Sequence, residues 1–126
     1  MKKFVLVLTV SGITMLSAMG IALAADSAIQ TMARITMNLN HFPSDDDKAA
    51  LQGIIDSDDS TDEEAEIAMA ITNIEHKIAE KDNERLRDIV NDDNADADAR
   101  QLAGIVLRIN HSASDADKKA LAELAK

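Results

Sequence analysis

Three histidines are the residues of this sequence best suited to chemistry. His41, His76 and His111 follow one another at a constant step of 35 residues. A neutral imidazole is the commonest protein ligand of transition metals, and it can also carry a proton near neutral pH. Because a constant step places residues at equivalent positions of a repeated structure, the three side chains are candidate metal ligands.

The same histidines have a second interpretation, which is structural. A histidine in the last turn of a helix interacts favourably with the helix dipole and can hydrogen-bond the terminal carbonyls. If the repeats stack side by side, equivalent positions lie about 10 Å apart, because packed helices are about 8–10 Å apart. We therefore expect local roles at turns, with no metal ion shared by all three histidines.

Two acidic segments alternate oxygen-bearing side chains in the manner of a calcium loop. They cover residues 56–62 and 92–98. Neither has glycine at the sixth position of such a loop, and the twelfth position holds Ile67 or Ala103 in place of glutamate. The sequence thus argues against an EF-hand. Solvated charged loops are the default interpretation, with diffuse calcium or magnesium binding as the alternative.

Catalysis has little support among the remaining residues. The chain has no cysteine and no tyrosine, and Gly53 and Gly104 lie inside helical patterns rather than in a phosphate-binding loop. Glycine inside a helix costs about 1 kcal/mol relative to alanine, so we expect Gly104 to permit close helix packing. The sequence predicts a protein that is not an enzyme and holds no cofactor.

The histidines belong to an internal repeat of 35 residues. The same step relates three aspartates and three leucines, and no insertion separates the copies. An uninterrupted repeat of this length indicates that one small structural unit is used three times. The residues in phase are Asp47, Asp82 and Asp117, and Leu51, Leu86 and Leu121.

The chain between the histidines is predicted to be helical, because apolar residues recur there at three- and four-residue steps. Serine or threonine followed three residues later by an acid is typical of a capping box at a helix start. The middle copy has Ile78 and Ala79 at its turn in place of proline and serine. The predicted caps are Ser44 with Asp47, Thr61 with Glu64, and Ser114 with Asp117.

These elements predict an all-α fold of six short helices. They form three tandem αα-hairpin repeats, at about 27–57, 62–92 and 97–126. A single hairpin cannot bury its apolar face, so neighbouring repeats must pack together. We expect either a short helical-repeat array or a compact bundle, built as one domain over residues 25–126.

The first 24 residues have the layout of a secretory signal peptide. Lys2 and Lys3 precede an apolar run, and Ala22-Leu23-Ala24 has the small residues of a cleavage site. We expect cleavage after Ala24 and a periplasmic or secreted location. An uncleaved anchor is the alternative, since residues 4–25 approach the length of a membrane span.

The chain after residue 24 is strongly acidic. It has 11 basic and 23 acidic residues, a net charge of −12, once Lys2 and Lys3 are removed. Such a charge repels phosphate backbones and anionic lipid, so we expect neither nucleic acid nor a membrane as partner. Basic proteins and cations are the partners that it favours.

Two hypotheses for function follow. The first is an exported, non-catalytic helical-repeat protein that binds another envelope protein as an inhibitor or adaptor, because helical repeats present continuous binding surfaces. The alternative is a periplasmic cation- or metal-binding protein that uses the turn histidines and the acidic linkers.

Overall fold

Six helices and the loops between them make up the described part of the molecule. The computed structural model describes residues 26–126, which contain no strand, and the predicted all-α fold of six helices is confirmed. The predicted signal peptide lies outside the described residues. No helix among residues 26–126 is long and apolar enough to cross a membrane. The helices are α1 (Ala28–Met37), α2 (Asp45–Asp56), α3 (Asp62–Thr72), α4 (Glu80–Asn91), α5 (Ala97–Leu107) and α6 (Asp115–Leu124).

The core is aliphatic and follows the repeat. Leu51, Leu86 and Leu121, which are related by the 35-residue step, have no exposed surface at all. Each comes from an outer helix whose opposite side is polar, and each fills the same place against an inner helix. Burying a leucine side chain stabilises a fold by about 1.5–3 kcal/mol, so each repeat contributes an equal anchor.

The helices form two concentric layers. Helices α1, α3 and α5 contact one another and form the inner layer, and each outer helix packs closely on an inner helix of the next repeat. Thus α2 packs on α3, α4 packs on α5, and α6 packs on α1. The last pair closes the chain into a ring with pseudo-three-fold symmetry. Closure buries both terminal apolar faces, which an open array would leave exposed to water.

The junction between α6 and α1 has no covalent linker, and side chains of α1 hold it. Gln30 donates from Nε2 to the Lys126 carbonyl at 2.6 Å, and Arg34 donates to the Ala125 carbonyl at 3.4 Å. These carbonyls belong to the two residues that directly follow α6, next to the helix end where backbone acceptors lack partners within the helix. The side chains of α1 therefore cap the neighbouring helix.

The helix starts differ in how they are capped. Ser44 and Thr61 form reciprocal capping boxes with the acids three residues on. Ser114 accepts from the Asp117 N–H, but the Asp117 carboxylate accepts from Arg108 instead of from the Ser114 N–H. Helix α4 follows Ala79 and has no side-chain cap.

Gly104 does not have the packing role expected from the sequence. A Cβ at this position would lie 3.7 Å from a side-chain nitrogen of Arg108 and 3.9 Å from the Val90 side chain. Both are ordinary van der Waals distances, so the helices do not approach closely enough there to require glycine.

Candidate metal centre

The three histidines lie at the tips of the three loops that join an inner helix to the following outer helix. Each is four residues beyond the end of its inner helix, so none lies in a last helical turn. The prediction that each histidine lies in the last turn of a helix is therefore wrong. All three have a left-handed backbone, with φ of 73°, 74° and 70° for His41, His76 and His111. Among non-glycine residues, histidine is one of the few that are enriched in this conformation.

Buried residues on both sides fix the position of each histidine. The residues two positions before and two positions after it are turned into the core, and the histidine at the tip is left at the surface. Since both ends of each five-residue loop are anchored by packing, the backbone position of the histidine is largely set before any ligand binds. The anchors are Leu39 and Pro43, Ile74 and Ile78, and Ile109 and Ala113.

A closed cycle of backbone hydrogen bonds joins the three loops. The N–H of His41 donates to the carbonyl of His111 at 2.6 Å, that of His76 to His41 at 2.6 Å, and that of His111 to His76 at 2.5 Å. Each loop thus donates one bond and accepts one bond, and the pseudo-three-fold axis passes through the cycle. The left-handed backbone is what lets one residue use both its N–H and its carbonyl in this way.

The imidazoles meet beside this cycle. Every pair of ring centroids is 5.0 Å apart, with interplanar angles of 88°, 82° and 67°. The separation of about 10 Å expected for stacked repeats is therefore wrong. That expectation assumed hairpins lying side by side, whereas the ring brings the three loops to a common axis.

One nitrogen from each imidazole lies within 4.8 Å of the nitrogens from the other two. Three atoms at that upper limit are about 2.8 Å from their common centre, whereas a Zn–N bond measures about 2.0–2.1 Å. Ring rotations that move each nitrogen inward by less than about 1 Å would complete the contact. His41 is partly buried, and His76 and His111 are exposed, so the rings have room for this movement.

Neighbouring asparagines orient two of the rings. Nδ1 of His41 lies 2.7 Å from Oδ1 of Asn40, and Nδ1 of His111 lies 2.9 Å from Oδ1 of Asn110. Because an amide oxygen only accepts, this hydrogen bond requires the tautomer with the proton on Nδ1, in which Nε2 is the nitrogen that can bind a metal. Metal-binding histidines usually donate their second nitrogen to an oxygen in this manner. The matching position before His76 is Glu75.

The acidic linkers do not belong to this site. They precede α3 and α5, whereas the histidines follow those helices. A helix of 11 residues such as α3 is about 16 Å long, so the linkers lie at the opposite end of the ring. The histidines and linkers that the sequence grouped as one cation-binding system are thus separate features.

Two of the histidine loops are each spanned by a hydrogen-bonded pair of side chains that the sequence did not reveal. Arg108 donates to both carboxylate oxygens of Asp117, at 2.7 and 3.3 Å, and Asn73 donates to Asp82 at 3.0 Å. Asp82 is only 2% exposed. In both cases the donor ends the inner helix and the aspartate begins the outer helix, nine residues later. The hydrogen bonds from Arg108 hold the pKa of Asp117 below its usual value.

No family model, characterised protein or solved structure matches this chain. The cluster is therefore interpreted from its own chemistry, since function lives in particular sites and not in a fold. Three imidazole nitrogens that converge from one side form a ligand set for Zn²⁺, Cu²⁺, Ni²⁺ or Co²⁺. Such a set would leave at least one coordination position for a further ligand.

Proposed function

We propose that the protein binds one transition-metal ion through His41, His76 and His111. The observation that supports this is the convergence of three imidazoles, 5.0 Å apart in every pair, on the pseudo-three-fold axis. Zn²⁺ is the ion that such a set fits most simply, because three histidines and an open fourth position form a familiar tetrahedral site. The proposal is for a binding role, without catalysis.

The fold around the site supports tight binding. The backbone cycle and the buried anchors fix the histidine backbones, so little backbone freedom remains to be lost when an ion binds. Asn40 and Asn110 lie at hydrogen-bond distance from Nδ1 of two of the rings, which leaves Nε2 of those rings available to an ion. The net charge of −12 over residues 26–126 also raises the local concentration of cations.

A purely structural role explains the same residues less well. A loop that needs a left-handed residue would be served by glycine or asparagine, which adopt this conformation at lower cost. Edge-to-face contact between rings contributes about 0.5–1.5 kcal/mol, and two of these rings are exposed. Neither factor calls for imidazole at all three positions.

The setting of this function is part of the proposal. A cleaved signal peptide would place the protein in the periplasm or outside the cell, where it would bind a metal ion in the envelope. Binding to another envelope protein stays a prediction, since nothing in residues 26–126 tests it.

Titration of the chelator-treated protein with Zn²⁺ tests the proposal. We expect one ion per chain by calorimetry, and a stabilisation of about 2.7 kcal/mol when free Zn²⁺ is a hundredfold above its Kd. Replacing all three histidines by asparagine should abolish both effects, while circular dichroism shows the helices intact.

Asparagine is the matched replacement, because it tolerates the left-handed backbone yet lacks the imidazole nitrogen. Single replacements should each weaken Zn²⁺ binding by at least about tenfold, a loss expected when one ligand of three is removed. Equal affinity in the triple variant would rule out this site.

A further inference from the structure

A cleft of about 750 Å³ opens next to the histidine cluster, and His76 belongs to both. Its size falls in the range of about 300–1,000 Å³ that is typical of small-molecule sites. The first histidine loop and α2 lie on one side, and the end of α3 and the start of α4 lie on the other. The cleft is lined by Phe42, Lys48, Thr72, Asn73, Ile74, Glu75, His76, Ala79 and Lys81.

The lining combines one aromatic ring with two positive charges. Phe42 is 59% exposed, and it is the only large hydrophobic side chain exposed within residues 26–126. Lys48 and Lys81 make no ion pair with any residue of that range. Glu75 is the only carboxylate in the lining, in a chain whose acids outnumber its bases about twofold. The cleft is therefore a local exception to the charge of the molecule.

This combination occurs at one of the three equivalent places in the ring. Since the fold repeats and the lining does not, the need to form the ring does not explain the aromatic ring or the lysines. Both other places lack the aromatic residue, and they have neither or only one of the two equivalent lysines. At the second place the residues equivalent to Phe42, Lys48 and Lys81 are Lys77, Asn83 and Ala116. At the third place they are Ser112, Lys118 and Asp46.

We propose that this cleft binds a small organic anion with an apolar body, of the class of aromatic carboxylates. The anionic group pairs with Lys48 and Lys81, and the apolar body covers Phe42, whose exposed ring is otherwise in contact with water. A carboxylate gains from two ammonium groups that have no competing partner. Burial of the aromatic face adds a hydrophobic contribution proportional to the area covered.

The position of His76 couples this cleft to the metal centre. An ion held by the three histidines would add positive charge at the edge of the cleft, because His76 belongs to both sites. Metal and anion should therefore each tighten the binding of the other, as linkage requires. This coupling rests on the proposed function, whereas binding of the anion to the cleft itself does not.

Titration with benzoate, followed by amide chemical shifts in the metal-free protein, tests the proposal. We expect saturable shifts confined to the lining residues, and no such shifts with benzyl alcohol, which is neutral. Lys48→Met and Lys81→Met should each weaken benzoate binding by at least about threefold. The matched control is Lys118→Met, which removes a lysine from the equivalent position of the third repeat and should change nothing.

The outcomes separate the two proposals. Equal benzoate affinity in Lys48→Met, Lys81→Met and the wild type, or equal weakening by Lys118→Met, would overturn the cleft whatever happens with Zn²⁺. Benzoate binding that depends on the two lysines, in a protein that binds no Zn²⁺, would keep the cleft and remove the metal centre. With both sites present, Zn²⁺ should tighten benzoate binding, and this effect should disappear in the triple asparagine variant.

Discussion

The left-handed backbone of the three histidines is the most informative feature at the level of single residues. Such a conformation costs about 1–3 kcal/mol for a residue other than glycine, and it persists only where the surrounding structure enforces it. Here the enforcement comes from the backbone cycle and from buried neighbours such as Leu39 and Pro43. The three strained residues lie together around one axis, and strained backbone conformations commonly cluster at functional sites.

The ion pair between Arg108 and Asp117 gives a prediction for stability against pH. The hydrogen bond from Arg108 lowers the pKa of Asp117 in the folded state. A lowered pKa adds stability above the unfolded value, about 3.9, and this contribution is lost as the pH falls through the folded value. Asp117→Asn should cost up to about 1 kcal/mol at pH 7, because Arg108 is 59% exposed and solvent screens the pair.

Urea denaturation at pH 7 and pH 3 measures this difference. The penalty of Asp117→Asn should shrink at pH 3, where protonation begins to remove the pair from the wild type as well. Asp115→Asn is the control, since it changes a neighbouring acid in the same first turn that makes no ion pair within residues 26–126. An equal penalty at both pH values would show that the ion pair with Arg108 does not account for the lost stability.

At the level of elements, α4 stands out because its start has no side-chain cap. Ala79 has φ of −70° and ψ of 143°, close to the extended backbone of Ser44 before α2. A serine at residue 79 would have a similar backbone, and its hydroxyl would compete with the Ala79 carbonyl for the Asp82 N–H, which donates to that carbonyl at 3.0 Å. Ser44, at the equivalent position of the first repeat, shows which side chain could cap α4.

Ala79→Ser should stabilise the protein by about 0.5–1 kcal/mol, and Ser44→Ala should destabilise it by about 0.5–2 kcal/mol. The two changes are mirror images at equivalent positions of adjacent repeats. Chemical denaturation measures both free energies of unfolding. A destabilising Ala79→Ser would show that Asp82, held by Asn73, already leaves no place for the hydroxyl.

The elements were predictable from the sequence to a large extent, because their signals are local. Apolar spacing predicts six helices, and serine or threonine before an acid predicts the starts of α2 and α3. The hydrogen bond from Asn73 to Asp82 was not predictable in this way, since it depends on the angle between two helices. The cluster of histidines was missed for the same reason: a period of 35 residues gives equivalent positions but not the curvature that brings them to one axis.

For the whole molecule, ring closure should make unfolding cooperative. Each repeat packs on two neighbours, so no repeat has a free end from which the structure can fray independently. Loss of packing in any one repeat should therefore lower the stability of all three. An open array of the same helices would lose its terminal repeats first.

Leu86→Ala tests whether the ring unfolds cooperatively, with Leu51→Ala and Leu121→Ala as matched variants. Each removes a fully buried leucine, so each should cost about 2–5 kcal/mol. All three should unfold in a single transition when monitored by circular dichroism and by amide exchange. Two transitions, or a Leu121→Ala effect confined to α6, would indicate that the junction between α6 and α1 opens separately.

The junction between α6 and α1 also makes the order of the repeats interchangeable. The carbonyl of Lys126 lies 2.6 Å from the Gln30 side chain, so the two chain ends of the described part are neighbours in space. A circular permutant that joins these ends and opens at one of the acidic linkers would retain every helix contact and all three histidine loops. The metal centre would then be assembled by the same ring from a different beginning, because the site depends on closure and not on which repeat comes first.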